Sequence, residues 1–203
     1  MTQIQHIVFD IGKVLIHYDP AIPYRRLIDD DTERTRFLNE ICTGAWNVEQ
    51  DRGRSWHEAE ELLIAEHPAH ENMIRAFRRH WHEMVPHAYE DSVQILERLI
   101  AQGHDVTMLT NFAEDTFKEA RARFDFLNLP RGVTVSGEVG LIKPDEAIYH
   151  LHADTFGLTP ASTLFIDDSE PNVIGARNAG WKAVLFQDAE TLADDLRRFG
   201  VDF

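Results

Sequence analysis

Short apolar strands alternate with amphipathic helices through the second half of the chain, and this pattern restricts the fold more than any other feature. The pattern predicts strands at 105–109, 132–135, 163–166 and 183–186. Helices are predicted between them at 113–123, 144–156 and 170–179, and a last helix at 190–199. Such alternation requires a parallel sheet with right-handed crossovers and helices on both faces. The predicted fold class is α/β, a doubly wound parallel sheet.

A further strand and a helical insertion are predicted in the first half. The stretch Ile-Val-Phe-Asp-Ile-Gly-Lys-Val-Leu at 7–15 indicates a short apolar strand that ends in a carboxylate and a glycine-containing turn. Residues 20–86 are rich in charge, and their apolar residues recur at helical spacing. We therefore expect residues 1–16 and 88–203 to form an α/β core of the Rossmann type, and residues 17–87 to form a small helical cap.

Charge and composition exclude several classes of partner. The formal net charge is −15, from Asp+Glu 35 and Lys+Arg 20. Nucleic acids and anionic membranes both select basic surfaces, so neither is an expected partner. No apolar run approaches the ~18 residues of a membrane span, and the N-terminus lacks a signal-peptide pattern. A single cysteine excludes an intrachain disulfide. We expect a cytoplasmic monomer or homodimer.

Polar residues follow the predicted strands at the point where each strand ends, and a lysine precedes the helix at 144. These residues are Asp10, Thr110, Asn111, Lys143, Asp167 and Asp168. Because parallel strands end at one edge of the sheet, their side chains should converge in one crevice. A carboxylate nucleophile, hydroxyl and amide donors, a cation and paired carboxylates suit phosphoryl transfer. Mg²⁺ takes only one or two carboxylates in such sites, so Asp10 and Asp168 would suffice to hold it.

These segments resemble the four motifs of the haloacid dehalogenase-like superfamily. In chain order they are Phe-Asp-Ile-Gly-Lys-Val at 9–14, Thr-Asn at 110–111, Lys-Pro-Asp at 143–145 and Ile-Asp-Asp-Ser-x-x-Asn at 166–172. The helical insertion resembles the cap of subfamily I in that superfamily. The resemblance extends from end to end of the chain and implies a hydrolase that acts on a small phosphorylated metabolite.

The resemblance also implies roles for the residues that carry the chemistry. Asp10 would be the nucleophile and would form an aspartyl-phosphate. Thr110 would bond a phosphoryl oxygen with Asn111 beside it, and Lys143 would neutralise both the phosphate and the nucleophile.

A magnesium site is implied by the same resemblance. Asp10, Asp168 and the backbone carbonyl of Gly12 would bind Mg²⁺. Asp167 would orient the water molecules of the metal or Lys143, and Asn172 would support that loop.

Gly12 departs from the pattern of most phosphatases in this superfamily, which carry there an aspartate that serves as general acid and base. General acid–base help contributes ~10²–10⁴-fold to a rate, so three interpretations stay open. The chain resembles a branch of sugar-phosphate phosphatases that also has glycine there, and a hexose 1-phosphate would need little acid. A 2-haloacid dehalogenase needs no acid either, although the pair Asp167 and Asp168 argues against it. A degenerate member would bind a ligand without turnover.

Residues of the predicted cap are expected to select the substrate. Trp46 could stack on a sugar ring, and Glu49 or Arg52 could bind hydroxyl groups; the alternative is that Trp46 lies in the cap core and the others on a solvated helix surface. His17 and Asp19 lie near the hinge and are candidates for the missing acid. The alternative, which we favour, is that they are hinge residues with no catalytic role.

Overall fold

The computed structural model describes residues 3–203. Its strands are β1 His6–Phe9, β2 Asp105–Thr110, β3 Val133–Val135, β4 Thr163–Asp167 and β5 Lys182–Leu185. Its helices are α1 Ala21–Leu27, α2 Asp31–Glu40, α3 Gly44–Asp51, α4 Trp56–Glu66, α5 Glu71–Arg79, α6 Trp81–Met84, α7 Glu90–Ala101, α8 Glu114–Arg123, α9 Ser136–Val139, α10 Glu146–Phe156, α11 Glu170–Asn178 and α12 Ala189–Arg198. Within residues 3–203, no helix combines the length and the apolar character that a membrane crossing requires.

The five strands of residues 3–203 form one parallel sheet in the order β3-β2-β1-β4-β5. Strand β1 lies in the centre, with His6 opposite Asp105 on one side and Thr163 on the other. The predicted fold class is confirmed, and the predicted strands and helices of the second half agree with the structure to within two residues at each end.

Side chains that alternate along the central strand belong to two separate apolar clusters. Ile7 and Phe9 lie in the cluster that also contains apolar side chains of α7 and α12. Val8 lies in the second cluster, where it joins side chains of α10 and α11 such as Tyr149 and Val173. Because successive side chains of a strand point to opposite faces, helices cover both faces of the sheet. The strand ends are therefore held between two packed layers.

The chain leaves and re-enters the sheet through two segments that lie side by side. The amide of His17 donates to the carbonyl of His87 at 3.0 Å, and the amide of Asp19 donates to the carbonyl of Met84 at 2.9 Å. Helices α1 to α6 lie between these segments, which we call the hinge ribbon (residues 16–19 and 84–88). The cap boundaries at 17 and 87 stay a prediction.

Aromatic side chains form the interior of the helical segment. Tyr24 packs against Phe37 and Phe77, with ring centroids 5.2 and 6.4 Å away. Ser55 caps the start of α4 by accepting a hydrogen bond from the Glu58 amide, and Asp30 caps the start of α2 by accepting one from the Glu33 amide.

Candidate active site

Asp10 follows β1 and begins a tight loop at the carboxyl edge of the sheet. Its amide donates to the carbonyl of Ile166 at 2.9 Å, which ties the residue to β4. The carbonyl of Ile11 accepts from the amides of Leu15 and Ile16, and this closes the loop. Lys13 within the loop has a φ of 57°, a left-handed conformation that costs a side-chain-bearing residue about 1–2 kcal/mol. Strain of this kind collects at functional sites.

Lys143 is the cation of the site and is 2% exposed. Its Nζ lies 2.8 Å from Oδ1 of Asp10 and 2.6 Å from Oδ2 of Asp167, and it donates to the carbonyl of Leu109 at 3.1 Å. Burial alone would lower the pKa of this lysine, but the two carboxylates outweigh burial and raise the pKa above its ordinary value. Lys143 is therefore positively charged at neutral pH.

Asp10 itself is 7% exposed. Burial raises the pKa of its carboxyl to about 7, and the negative charge of Asp167 adds to the rise, while Lys143 opposes it. A carboxylate in this position is poorly solvated and has one cation beside it, so a nearby electrophile or cation would stabilise its charged form.

Asp167 and Asp168 end β4 and differ in their surroundings. Asp167 is 0% exposed; its Oδ1 accepts from the Ser169 amide at 2.8 Å and from Nδ2 of Asn172 at 3.0 Å. Asp168 is only half-buried, and burial together with repulsion from Asp167 raises its pKa. Asp167 is thus held by hydrogen bonds and by Lys143, whereas no side chain among residues 3–203 is seen to donate a hydrogen bond to Asp168, whose nearest cationic influences are Lys13 and Lys143.

Thr110 and Asn111 complete the edge of the sheet. Thr110 is buried at the end of β2. Asn111 donates from Nδ2 to the carbonyl of Lys143 at 3.0 Å and accepts from the Lys143 amide at 2.9 Å. The side chain of Asn111 therefore fixes the backbone from which Lys143 extends.

Three carboxylates form a cluster that fits a divalent cation. Oxygen atoms of Asp10, Asp167 and Asp168 all lie within 4.8 Å of one another. Three carboxylates and the ammonium of Lys143 carry a charge of −2 when all are ionised. Lys143, whose Nζ lies 2.8 Å away, is the one partner found for the buried Oδ1 of Asp10 among the described residues. Carboxylate oxygens are ligands that Mg²⁺ accepts, so these residues suit that ion.

The helical segment closes over a cavity of about 80 Å³ beside this cluster. Most of the lining is apolar, and the polar groups come from both the sheet edge and the helical segment. The lining residues are Gly12, Ile16, Tyr18, Asn47, Asp51, Trp56, Trp81, Val85, Asn111, Phe112 and Thr116. Sequence analysis did not single out Trp56, Trp81 or Phe112 as site residues.

Three residues that the sequence suggested for substrate binding lie outside that lining. Trp46 packs edge-on against Trp56 and Phe77, and its indole N–H donates to a carbonyl of α4 at 3.3 Å. Arg52 lies 3.8 Å from Glu49 and 3.6 Å from Asp145. Trp46 thus contributes to the interior of the helical segment, and Arg52 bridges that segment to the Lys-Pro-Asp loop.

The two hinge residues that were candidates for an acid have other partners. Nδ1 of His17 lies 3.1 Å from the hydroxyl of Tyr89, and its ring stacks on His87. Asp19 accepts from the Ala21 amide at 2.8 Å and from Arg25 at 2.9 Å. Both side chains therefore stabilise the hinge ribbon and the start of α1.

Residues 4–180 match the model of one protein family, described as haloacid dehalogenase-like hydrolase. The match covers most of the chain and includes every strand-end residue of the site. The protein belongs to this family of hydrolases.

The proteins to which this chain is similar include both phosphatases and dehalogenases. A sesquiterpene phosphatase of Aspergillus oryzae is 25% identical over 202 residues, which cover 97% of each chain. A haloacid dehalogenase-like enzyme of Bacteroides thetaiotaomicron, solved as a magnesium complex, has a TM-score of 0.74 at 20% identity and covers 97% of this chain and 100% of its own. The L-2-haloacid dehalogenase of Xanthobacter autotrophicus has a TM-score of 0.65 at 20% identity over 99% of this chain and 85% of its own. The two solved structures establish the shared fold.

Proposed function

We propose that the protein is a Mg²⁺-dependent phosphatase that hydrolyses a small phosphorylated metabolite through an aspartyl-phosphate. The observation that carries the proposal is the buried arrangement of Asp10, Lys143 and Asp167, with Lys143 Nζ 2.8 and 2.6 Å from the two carboxylates. The sequence relationship to a phosphatase over 97% of the chain supports it.

The residues of the chain would divide the work as follows. A carboxylate oxygen of Asp10 attacks phosphorus, and the bond from phosphorus to the ester oxygen breaks. Lys143 offsets the charge on the phosphoryl oxygens, and the Thr110 hydroxyl donates to one of them. Water then attacks the aspartyl-phosphate, which releases inorganic phosphate and restores Asp10. Asn111 acts by holding Lys143 in position.

The groups that would hold Mg²⁺ are Asp10, Asp168 and the backbone carbonyl of Gly12. Asp167 would lie next to these ligands without binding the ion itself. When bound, the ion would neutralise negative charge on the phosphate and on the carboxylates. Asp167 is already saturated by Lys143, Ser169 and Asn172, so its part is to keep Lys143 oriented.

The cavity limits the substrate and requires movement of the helical segment. Ligand sites usually measure about 300–1,000 Å³, whereas this cavity measures about 80 Å³. We infer that the substrate enters when the helical segment moves away on the hinge ribbon. A sugar phosphate such as a hexose 1-phosphate is the class to test first, with Asn47 and Tyr18, rather than Trp46, Glu49 and Arg52, placed to contact it.

The direct test is phosphate release from a panel of sugar, alkyl and aryl phosphates, with Mg²⁺ and with EDTA. Asp10→Asn removes the nucleophile at nearly constant volume and should abolish turnover. Asp154→Asn, on the exposed face of α10, is the matched control and should retain it. Chloride release from 2-chloropropionate is measured alongside.

The outcomes separate the proposed function from its alternatives. Mg²⁺-dependent phosphate release that requires Asp10 supports the phosphatase. Metal-independent chloride release without phosphate release would instead identify a dehalogenase, which the glycine at position 12 and the Xanthobacter structure keep as the second candidate. A folded protein that releases neither ion would be a binding protein.

A further inference from the structure

Gly12 leaves an open space where most phosphatases of the superfamily carry their acid. A Cβ built on Gly12 would meet no atom of the described residues within 4 Å apart from its chain neighbours. The same glycine lines the cavity between the sheet edge and the helical segment. Asp51 lines that cavity as well, and it enters from the last turn of α3. An acidic residue therefore lines the cavity although the motif itself lacks one at position 12.

Asp51 is fixed to the core by its backbone. The hydroxyl of Ser136 donates to the carbonyl of Asp51 at 2.5 Å, across the boundary between the helical segment and the sheet. Gly53 follows with a φ of 108°, and a Cβ there would lie 3.2 Å from the carbonyl of Gly137. This close approach of two backbones requires glycine at position 53 and docks the end of α3 on the core.

Gln50 and Arg54 hold the same turn from the other side. Gln50 is buried and donates to the carbonyl of Trp46 at 2.8 Å, and Arg54 donates to both Gln50 and that carbonyl. The position of Asp51 is thus defined by hydrogen bonds on both sides of it. A group that transfers a proton needs such positioning, because the transfer requires hydrogen-bond distance.

We propose that Asp51 supplies the general acid and base that position 12 lacks, as an extension of the proposed phosphatase activity. In the first step the protonated carboxyl gives its proton to the ester oxygen as the bond to phosphorus breaks and Asp10 becomes phosphorylated. In the second step the carboxylate takes a proton from the water that attacks phosphorus, and Asp10 is released. The proton returns to Asp51, so one water molecule is consumed for each alcohol and phosphate formed.

The surroundings of Asp51 suit both roles. Burial raises the pKa of its carboxyl to about 7, while the amide of Ala113 and the charge of Lys143 oppose the rise. A pKa near the working pH lets one group donate and accept in turn. Tyr18 lines the same cavity, and its own pKa is raised by burial and by the charges of Asp51 and Asp19.

A capping role for Asp51 is the competing explanation, because the Ala113 amide lies at the start of α8. Asp51→Asn separates the two roles, since an amide oxygen still accepts from Ala113 but cannot supply the proton. Asp51→Ser is the second variant, because serine also caps helices and carries no acid. Glu66→Gln, at an exposed end of α4, is the matched control. Thermal unfolding verifies that each variant is folded.

The experiment compares a primary alkyl phosphate with p-nitrophenyl phosphate, whose leaving group departs without a proton. In Asp51→Asn, kcat for the alkyl ester should fall by about 10²–10⁴-fold. With p-nitrophenyl phosphate a burst of nitrophenolate equal to the enzyme concentration should precede a slow phase, because only the second step still needs the base. Adding Gly12→Asp should restore alkyl turnover, since position 12 has room for the side chain.

Equal loss on both esters without a burst, or unchanged activity, would overturn the role of Asp51 and leave the phosphatase intact. Failure of Gly12→Asp to restore alkyl turnover in a folded double variant would count against it as well. If the parent protein releases phosphate from neither ester, the proposed function itself fails, and this inference fails with it.

Discussion

Replacing Lys143 with methionine should leave two buried carboxylates without the cation that now lies between them. Methionine keeps the length of the aliphatic stem but loses the ammonium, which is 2.8 Å from Asp10 and 2.6 Å from Asp167. The three side chains are 1%, 9% and 0% exposed, so water cannot replace the lost charge. Breaking a buried ion pair in this way costs about 3–5 kcal/mol of unfolding free energy.

The loss should grow with pH. A carboxyl whose pKa is higher in the folded protein than in the unfolded chain, where it is about 3.9, binds protons better when folded. Its contribution to stability is then full below that value and is lost as the pH rises through the folded pKa. Asp10 has a pKa of about 7 with Lys143 present, and the variant should raise it further. The loss should be smallest at pH 5, where the carboxyl is protonated in both proteins, and should increase as the pH rises above the parent's pKa of about 7.

Urea unfolding in EDTA measures this effect through the fluorescence of the four tryptophans. With a slope of about 3 kcal/mol/M, a loss of about 3 kcal/mol lowers the midpoint by about 1 M, and the fall should be larger at pH 8 than at pH 5. Lys118→Met removes a 65% exposed lysine paired with Glu114 and should cost less than about 1 kcal/mol at either pH. A loss at Lys143 as small as that of the control, or equal at pH 5 and pH 8, would refute the reasoning.

Two further predictions concern metal binding and acid stability. Mg²⁺ at 100 times its dissociation constant should stabilise the folded protein by about 2.7 kcal/mol. Asp168→Asn should reduce that gain, and the control Asp154→Asn should not. A midpoint of thermal unfolding that does not change when Mg²⁺ is added would contradict this prediction. His152 is buried between the hydroxyls of Thr107 and Thr134, and burial lowers its pKa from 6.5 to about 3. Because the folded state resists protonation there, the parent loses stability as the pH falls from 6.5 towards 3. The variant His152→Gln should lose less unfolding free energy than the parent over that pH range. If the curves of unfolding free energy against pH for the parent and the variant are parallel, the assignment of this effect to His152 is wrong.

The fold could be predicted because each strand carries its own local signal. Apolar runs such as 163–166 are short, end in polar residues and alternate with helices, and only a parallel sheet satisfies that order. The meeting of Asp10, Lys143 and Asp168 follows from the same rule, since parallel strands share one polar edge. The residues alone could not predict the contacts of Lys143, because these depend on the path of the loop before α10; the family resemblance implied both of its carboxylate partners, Asp10 and Asp167.

The face that α3 presents to the core could not be predicted from the sequence. Asp51 and Glu49 are both acidic residues of one short helix. The contact that distinguishes Asp51 from Glu49 is its hydrogen bond with Ser136, which lies 85 residues further along the chain. One signal was available. A carboxylate in the last turn of a helix faces the negative end of the helix dipole, so Asp51 is in an unfavourable position unless another group requires it there. Trp46 lacked any such signal, because an aromatic residue on a helix fits a packed interior and a binding site equally well.

The hinge ribbon bears on how proteins with this core can diversify. The His17 amide lies 3.0 Å from the His87 carbonyl, so the two ends of the helical segment 17–87 are adjacent in space, although they are far apart in sequence. A segment with adjacent ends behaves as an insertion into a surface loop, which a fold tolerates in many lengths. It can be exchanged for another helical unit without moving β1 or Asp10. Under the proposed phosphatase activity, selectivity for the alcohol part of a substrate can then change with this segment, while the residues proposed to handle phosphate stay the same.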